Sequence, residues 1–146
     1  MALAERDLLT MSRGDLDELF RRSRAGEIPD GETDGQLLLG AGSEVLSGTA
    51  AKVARLVAWQ GKVFDREKGE LRNKLGPLGA KAVRARVYKE ESWFDGREAI
   101  VLDYSDTSFV ARRVRDEIRE VAPGLYLGLV FWGREKILHF SLELSG

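Results

Sequence analysis

The feature that most constrains this fold is a change in the character of the chain after Gly61. Beyond it, short segments of β-type residues recur at hairpin spacing, and Gly, Pro, Asp and Ser separate them. The seven predicted strands are Lys62–Asp65, Glu70–Leu75, Ala82–Tyr88, Glu98–Tyr104, Arg113–Val121, Gly124–Trp132 and Lys136–Leu144. Parallel winding needs crossover helices between strands, and none fit here. The sequence therefore predicts an antiparallel meander that closes toward a small barrel.

Two helices are predicted before this region, over residues 14–25 and 47–59, with a short strand, Gln36–Leu39, between them. The first helix has acidic residues in its first turn and arginines in its last, as the helix dipole prefers. Its apolar face consists of Leu16, Leu19 and Phe20. Residues 1–12 are expected to be a flexible leader. The predicted fold class is α+β, mostly β, in a single domain over residues 1–146.

Charge and composition exclude several classes of function. The 23 Lys and Arg residues are interleaved with 24 Asp and Glu residues, so the net charge is -1. Because phosphate backbones and anionic membranes favour clustered positive charge, neither nucleic acid nor a membrane is an expected partner. The absence of Cys excludes disulfides, thiolate metal sites and iron–sulfur clusters. No signal peptide or membrane-spanning run is recognisable, so a cytoplasmic location is expected.

Alternation assigns side chains to the two faces of each strand. In the last strand Leu138 and Phe140 share one face, and His139 lies on the other. The strand Gly124–Trp132 is apolar on both faces, which predicts that both are covered, one of them by a helix. In Arg113–Val121 the residues on one face are Val114, Asp116 and Ile118, and those on the other are Arg113, Arg115, Glu117 and Arg119.

Two stretches resemble the GXWXG-type uncharacterised bacterial proteins. The first is Trp59-Gln60-Gly61-Lys62-Val63-Phe64-Asp65, and the second runs from Ile100-Val101-Leu102-Asp103-Tyr104 through Arg115-Asp116-Glu117 to Tyr126-Leu127-Gly128-Leu129. The Gly-x-Trp-x-Gly signature falls on Gly31-Glu32-Thr33-Asp34-Gly35, where Thr33 replaces Trp. The resemblance implies a calycin-like barrel, related to lipocalins, that takes hydrophobic ligands.

The leading interpretation is a binding module that holds a small hydrophobic or amphipathic molecule in the barrel, without a cofactor or a metal. Binding is favoured over catalysis, and the sequence leaves open whether the protein is a monomer or a homodimer. One hypothesis is that Arg115 and Glu117 face inward, opposite the apolar strand Gly124–Trp132, and orient the ligand's polar end. The alternative is that they form a ladder of solvated ion pairs on an exposed face of the sheet. The predicted ligand-binding residues are Asn73, Lys74, Tyr104, Arg115, Glu117, Tyr126 and His139.

Two further interpretations rest on His139, the single histidine. One is an enzyme on a cone-shaped α+β fold similar to nuclear transport factor 2, with His139 and either Asp103 or Glu117 as acid and base. The other is a barrel that binds haem through His139, as the calycin-like nitrobindins do. A lone histidine between Leu138 and Phe140 more often has a structural role, so haem is not expected.

Overall fold

The computed structural model describes residues 2–40, 59–75, 84–106 and 112–145. Within these ranges eight strands form a closed antiparallel barrel, in which each strand pairs with its neighbours in sequence and the last returns to the first. The strands are β1 Gly31–Leu38, β2 Trp59–Asp65, β3 Glu70–Leu75, β4 Arg84–Glu91, β5 Glu98–Asp103, β6 Val114–Ala122, β7 Leu125–Trp132 and β8 Glu135–Leu144. The predicted antiparallel meander that closes into a small barrel is confirmed.

The first strand differs most from its prediction. β1 begins at Gly31, well before the predicted Gln36, and ends at Leu38. Its backbone pairs with β8 along Thr33 to Leu38 and with β2 at Gly31 and Glu32. This pairing outweighs the low strand propensity of Gly and Asp. The predicted helix 47–59 lies outside the described residues, except that Trp59 begins β2.

Two helices precede the barrel: α1, Glu5–Leu9, and α2, Arg13–Arg22. The prediction that residues 1–12 form a flexible leader is wrong, because α1 lies within them and packs its fully buried Leu8 against the barrel. α2 confirms the first predicted helix, and Ser12 caps it by accepting a hydrogen bond from Asp15 N at 3.1 Å. α2 ends before residue 25 because Arg24 pairs with β6.

The described residues form two apolar cores, one on each side of the barrel wall. The inner core lies inside the barrel and includes Ile100, Leu102, Ile118 and Phe140. The outer core lies between the wall and the two helices, and its members include Leu16, Phe20, Leu127, Leu129 and Phe131. The prediction that β7 is covered on both faces, one of them by a helix, is therefore confirmed.

The two ends of the barrel differ. At one end the chain that follows α2 crosses the opening: Ala25 and Ile28 join the inner core, and Glu27 O accepts a hydrogen bond from Tyr126 OH at 2.7 Å. The opposite end, here called the rim, carries half-exposed apolar side chains that pack on the inner core: Leu37, Trp132 and Ile137. No helix of the described residues has the length and apolar character needed to cross a membrane.

Candidate functional site

Among the described residues, four polar side chains inside the barrel contact one another, and we call them the inner polar cluster. They are Lys62 on β2, Asn73 on β3, Tyr104 directly after β5, and Asp116 on β6. Each side chain belongs to a residue that is at most 2 % exposed. Burying an amine and a carboxyl group is costly unless both find partners. The hydrogen bonds among the four side chains therefore matter for the stability of the barrel interior.

The Lys62 amine lies at the centre of the inner polar cluster. Its Nζ donates to Asn73 Oδ1 at 2.5 Å and to Tyr104 OH at 2.7 Å, and it lies 3.4 Å from Asp116 Oδ2. Asn73 Nδ2 donates to Tyr104 OH at 3.0 Å. Nζ also lies 5.6 Å from the centre of the Phe140 ring, within range of a cation–π contact. The cluster is one connected hydrogen-bond network.

The Thr33 side chain holds the backbone of Lys62 through two hydrogen bonds. Its hydroxyl donates to Lys62 O at 2.7 Å and accepts from Lys62 N at 3.0 Å. The strands approach closely here: a Cβ on Gly61, which has φ 141°, would lie 2.0 Å from Thr33 O. Only glycine fits at that position. Thr33 therefore binds the backbone of the cluster's lysine on both its N–H and its carbonyl side.

Burial shifts the pKa of each ionisable group in the cluster. It lowers the pKa of Lys62, while the nearby Asp116 carboxylate opposes the shift. It raises the pKa of Asp116, with Lys62 opposing, and raises the pKa of Tyr104 well above its ordinary value. Lys62 and Asp116 together carry no net charge, whichever of them holds the shared proton.

One acceptor in the cluster is unused. Asp116 Oδ1 is buried and has no hydrogen-bond partner among the described residues, whereas Oδ2 faces Lys62 and Tyr104. Buried carboxylate oxygens are rarely left without a donor. This oxygen is the group of the cluster through which a further molecule can be held.

The predicted site residues separate into two groups. Asn73 and Tyr104 belong to the inner polar cluster. Tyr126 also faces the interior, but at the closed end, where burial raises its pKa to about 12 and its hydroxyl is taken by Glu27 O. Lys74 lies on β3 opposite Gly61, and its side chain is outside the described part of the structure.

The prediction that Arg115 and Glu117 face the barrel interior is wrong. They lie on the outer face of β6, because the apolar residues that alternate with them fill the barrel. The pair is nonetheless buried, since the loop of residues 92–97 covers it. Glu117 is fully buried and accepts from Ser92 Oγ at 2.5 Å, from Trp93 N at 2.7 Å and from Arg115 Nε at 3.2 Å. The pair anchors a loop.

His139 also lies outside the barrel, beneath α2. Its Nε2 is 2.6 Å from Asp17 Oδ1, and burial lowers its pKa while the hydrogen bond to Asp17 opposes the shift. Asp103 lies elsewhere on the outer surface and accepts from Tyr88 OH at 2.7 Å. The cone-shaped fold is wrong, because the strands close into a barrel. Glu117 lies two strands from His139 on the same outer side, but its carboxylate binds Ser92, Trp93 and Arg115, whereas His139 binds Asp17. The haem interpretation has no support inside the barrel, because the His139 ring lies on the outer side of the wall.

Sequence reasoning missed two members of the cluster, Lys62 and Asp116. A signal for Asp116 was present, because alternation places it on the same face as Val114 and Ile118, and both of those are inner-core residues. Lys62 likewise lies on the same face of β2 as the buried Phe64, an inner-core residue. A charged residue on an apolar strand face indicates a buried polar site more directly than a charged face does.

Comparison with known proteins supports the fold alone. A crystal structure of a protein from Thermomonospora curvata superposes with a TM-score of 0.66 at 18 % sequence identity, over 94 % of this chain and 90 % of that one. No family model matches the sequence, and no curated protein is significantly similar to it. In the described ranges, no group of three or more His, Asp or Glu side chains is arranged to hold a metal ion.

Proposed function

We propose that this barrel binds a small hydrophobic or amphipathic molecule in its interior, with the polar end of that molecule at the inner polar cluster. Ligand sites in proteins are mostly apolar and contain a few convergent polar groups that orient the ligand. The barrel interior has this composition, and the observation that carries the proposal is the unused Oδ1 of Asp116.

The two ends of the barrel suggest how such a molecule would lie. The chain between Ala25 and Ile28 covers one end, so entry is expected at the rim. The half-exposed side chains there, Trp132 among them, are apolar and suit the hydrophobic part of the ligand. Asp116 Oδ1 is covered by neighbouring side chains, so the ligand would have to displace them on entry. Its polar end would lead and its apolar part would remain toward the rim.

We further propose that the chain is a calycin-like protein related to the GXWXG-type family. The closed eight-strand meander and the Gly31-to-Gly35 spacing on β1 support this assignment. A cytoplasmic location remains part of the same proposal, as does the absence of nucleic-acid and membrane partners.

A neutral solvatochromic dye such as Nile red tests whether the interior binds ligands. We expect its fluorescence to rise with the protein and to be displaced by n-decanol. Val130→Phe adds bulk at a site that is 2 % exposed inside the barrel, so it should weaken dye binding about tenfold or more. Val63→Phe makes the same change at an exposed site on β2 and should leave binding unchanged.

The folded state of both variants is checked by circular dichroism before titration, because overpacking costs about 1–3 kcal/mol of stability. Dye binding that is equal in wild type and in folded Val130→Phe would place the dye on the surface and contradict the proposal. An effect of Val63→Phe as large as that of Val130→Phe would contradict it as well.

A further inference from the structure

We propose that the inner polar cluster selects ligands whose polar end is an uncharged hydroxyl group, in preference to a carboxylate or an ammonium group. This inference rests on the proposed function, since it concerns the same interior site. Two independent properties of the cluster carry it: its charge balance, and the direction in which its hydrogen-bonding groups are already used.

The charge balance disfavours ionised ligands. Lys62 and Asp116 neutralise each other at 3.4 Å, so within the described part of the chain the cluster offers no unpaired counter-charge. The other buried charged or titratable side chains of the described residues, Arg115, Glu117, Arg119 and His139, lie on the outer side of the wall. A carboxylate or ammonium group brought to the cluster would thus leave a net buried charge, which is strongly unfavourable.

The hydrogen bonds point to a ligand that donates. The Lys62 amine is directed at three protein acceptors, namely Asn73 Oδ1, Tyr104 OH and Asp116 Oδ2. Among the described residues, the polar atom of the cluster that has no hydrogen-bond partner is an acceptor, Asp116 Oδ1. A carboxylate has no hydrogen to give it and would bring two anionic groups together. A hydroxyl group donates one hydrogen bond and stays uncharged, so it satisfies this oxygen without disturbing the ion pair.

Four probes with the same alkyl chain test the inference: n-decanol, decanoate, decylammonium and decyl methyl ether, each titrated below its aggregation concentration against protein-bound Nile red. At neutral pH we expect n-decanol to bind about tenfold or more tightly than either ion. The ether is uncharged but has no hydrogen to donate, so it should also bind about tenfold more weakly than the alcohol.

Changing the charge of the cluster should change which probe binds best. Asp116→Asn keeps the shape of the side chain but leaves the Lys62 charge uncompensated, so decanoate should become the preferred probe by about tenfold. Lys62→Met has the opposite effect and should favour decylammonium. Asp103→Asn removes a carboxylate from the outer surface and should leave the order of the probes unchanged.

The outcomes distinguish the two proposals. If decanoate or the ether equals n-decanol in wild type, or if folded Asp116→Asn keeps the wild-type order, the hydroxyl inference is overturned while interior binding stands. If no probe displaces the dye, or if displacement is unaffected by Val130→Phe, interior binding itself fails. Should Asp116→Asn not fold, the comparison of alcohol with ether in the wild-type protein decides the inference alone.

Discussion

Arg119→Met removes a cation that joins three parts of the protein. The Arg119 guanidinium is fully buried on the outer side of β6, and Nη1 and Nη2 bind the two carboxylate oxygens of Asp95 at 2.6 and 2.7 Å. It also donates to the backbone oxygens of Phe20, Arg97 and Glu98 at 2.8, 3.1 and 3.0 Å. One side chain therefore connects α2, the loop of residues 92–97 and the barrel wall.

The expected loss of stability follows from these contacts. Removing one partner of a buried ion pair costs about 3–5 kcal/mol, because the other partner keeps its desolvation penalty. Asp95 stays 12 % exposed and retains a hydrogen bond from Arg97 N at 3.0 Å, so the lower end of that range applies. Met preserves much of the packing of the arginine stem. We expect Arg119→Met to lower the free energy of unfolding by about 3 kcal/mol.

The same contact predicts how this loss depends on pH. Hydrogen bonds from Arg119 lower the pKa of Asp95 below 3.8. A carboxyl group with a lowered folded-state pKa contributes stability above its unfolded pKa, and this contribution disappears as the pH falls through the folded value. The difference between wild type and Arg119→Met should therefore be full at neutral pH and should shrink in acid below 3.8.

Urea denaturation at neutral and acidic pH measures both effects. Arg97→Met is the matched control. The exposed Arg97 guanidinium lies 3.4 Å from Asp95 Oδ2, the oxygen that Arg119 Nη1 also binds, and its loss should lower the free energy of unfolding by no more than about 1 kcal/mol. Arg119→Met combined with Asp95→Asn should recover part of the single-variant loss. A loss for Arg119→Met that equals that of Arg97→Met would refute the reasoning that the buried cation holds the loop.

Three further outcomes are expected. Gly128→Ala should lower the free energy of unfolding, measured by urea denaturation, by about 1–3 kcal/mol, because the new Cβ would lie 2.2 Å from the buried Phe140 ring. Gly14→Ala on α2 is the control: its Cβ would meet no atom closer than 3.9 Å, so it should not destabilise the protein. Tyr104→Phe leaves two buried donors, Lys62 Nζ and Asn73 Nδ2, without this acceptor and should lower the free energy of unfolding by about 1–3 kcal/mol. Tyr88→Phe on the outer face should lower it by at most about 1 kcal/mol, and equal losses would contradict the assigned network. NMR titration should find the His139 pKa below 6.5, so that this group contributes stability above that value and loses it as the pH falls through the folded-state pKa; a value above 6.5 would show that the contact with Asp17 outweighs the desolvation of the ring.

The strands and their alternation were determined by the sequence, because both depend on local patterns. Side chains alternate with a period of two, and hairpin turns need Gly, Asp or Pro, so the strands after Gly61 could be located from the residues themselves. The same alternation placed Tyr104 with Leu102, and both lie inside. It also required a cover for each face of β7, which the inner core and the helices supply.

Alternation alone does not show which face of a strand is inside, and β6 illustrates the limit. Its charged face with Arg115 and Glu117 was predicted to line the cavity, but in the structure it lies outside beneath residues 92–97. A period of two divides the side chains into two sets, and closure of the barrel decides which set is enclosed. The burial of Arg119 by a loop and of His139 by α2 depends on the same closure.

The candidate site exists only in the folded barrel. Lys62 is 42 residues from Tyr104, and Asp17 is 122 residues from His139, so local patterns carry no information about either contact. Strand register brings Lys62 opposite Asn73 and places Asp116 opposite Leu102, two residues before Tyr104. The shared burial of the inner polar cluster makes its side chains a network, because inside the barrel the polar groups have no water to bind and must bind one another.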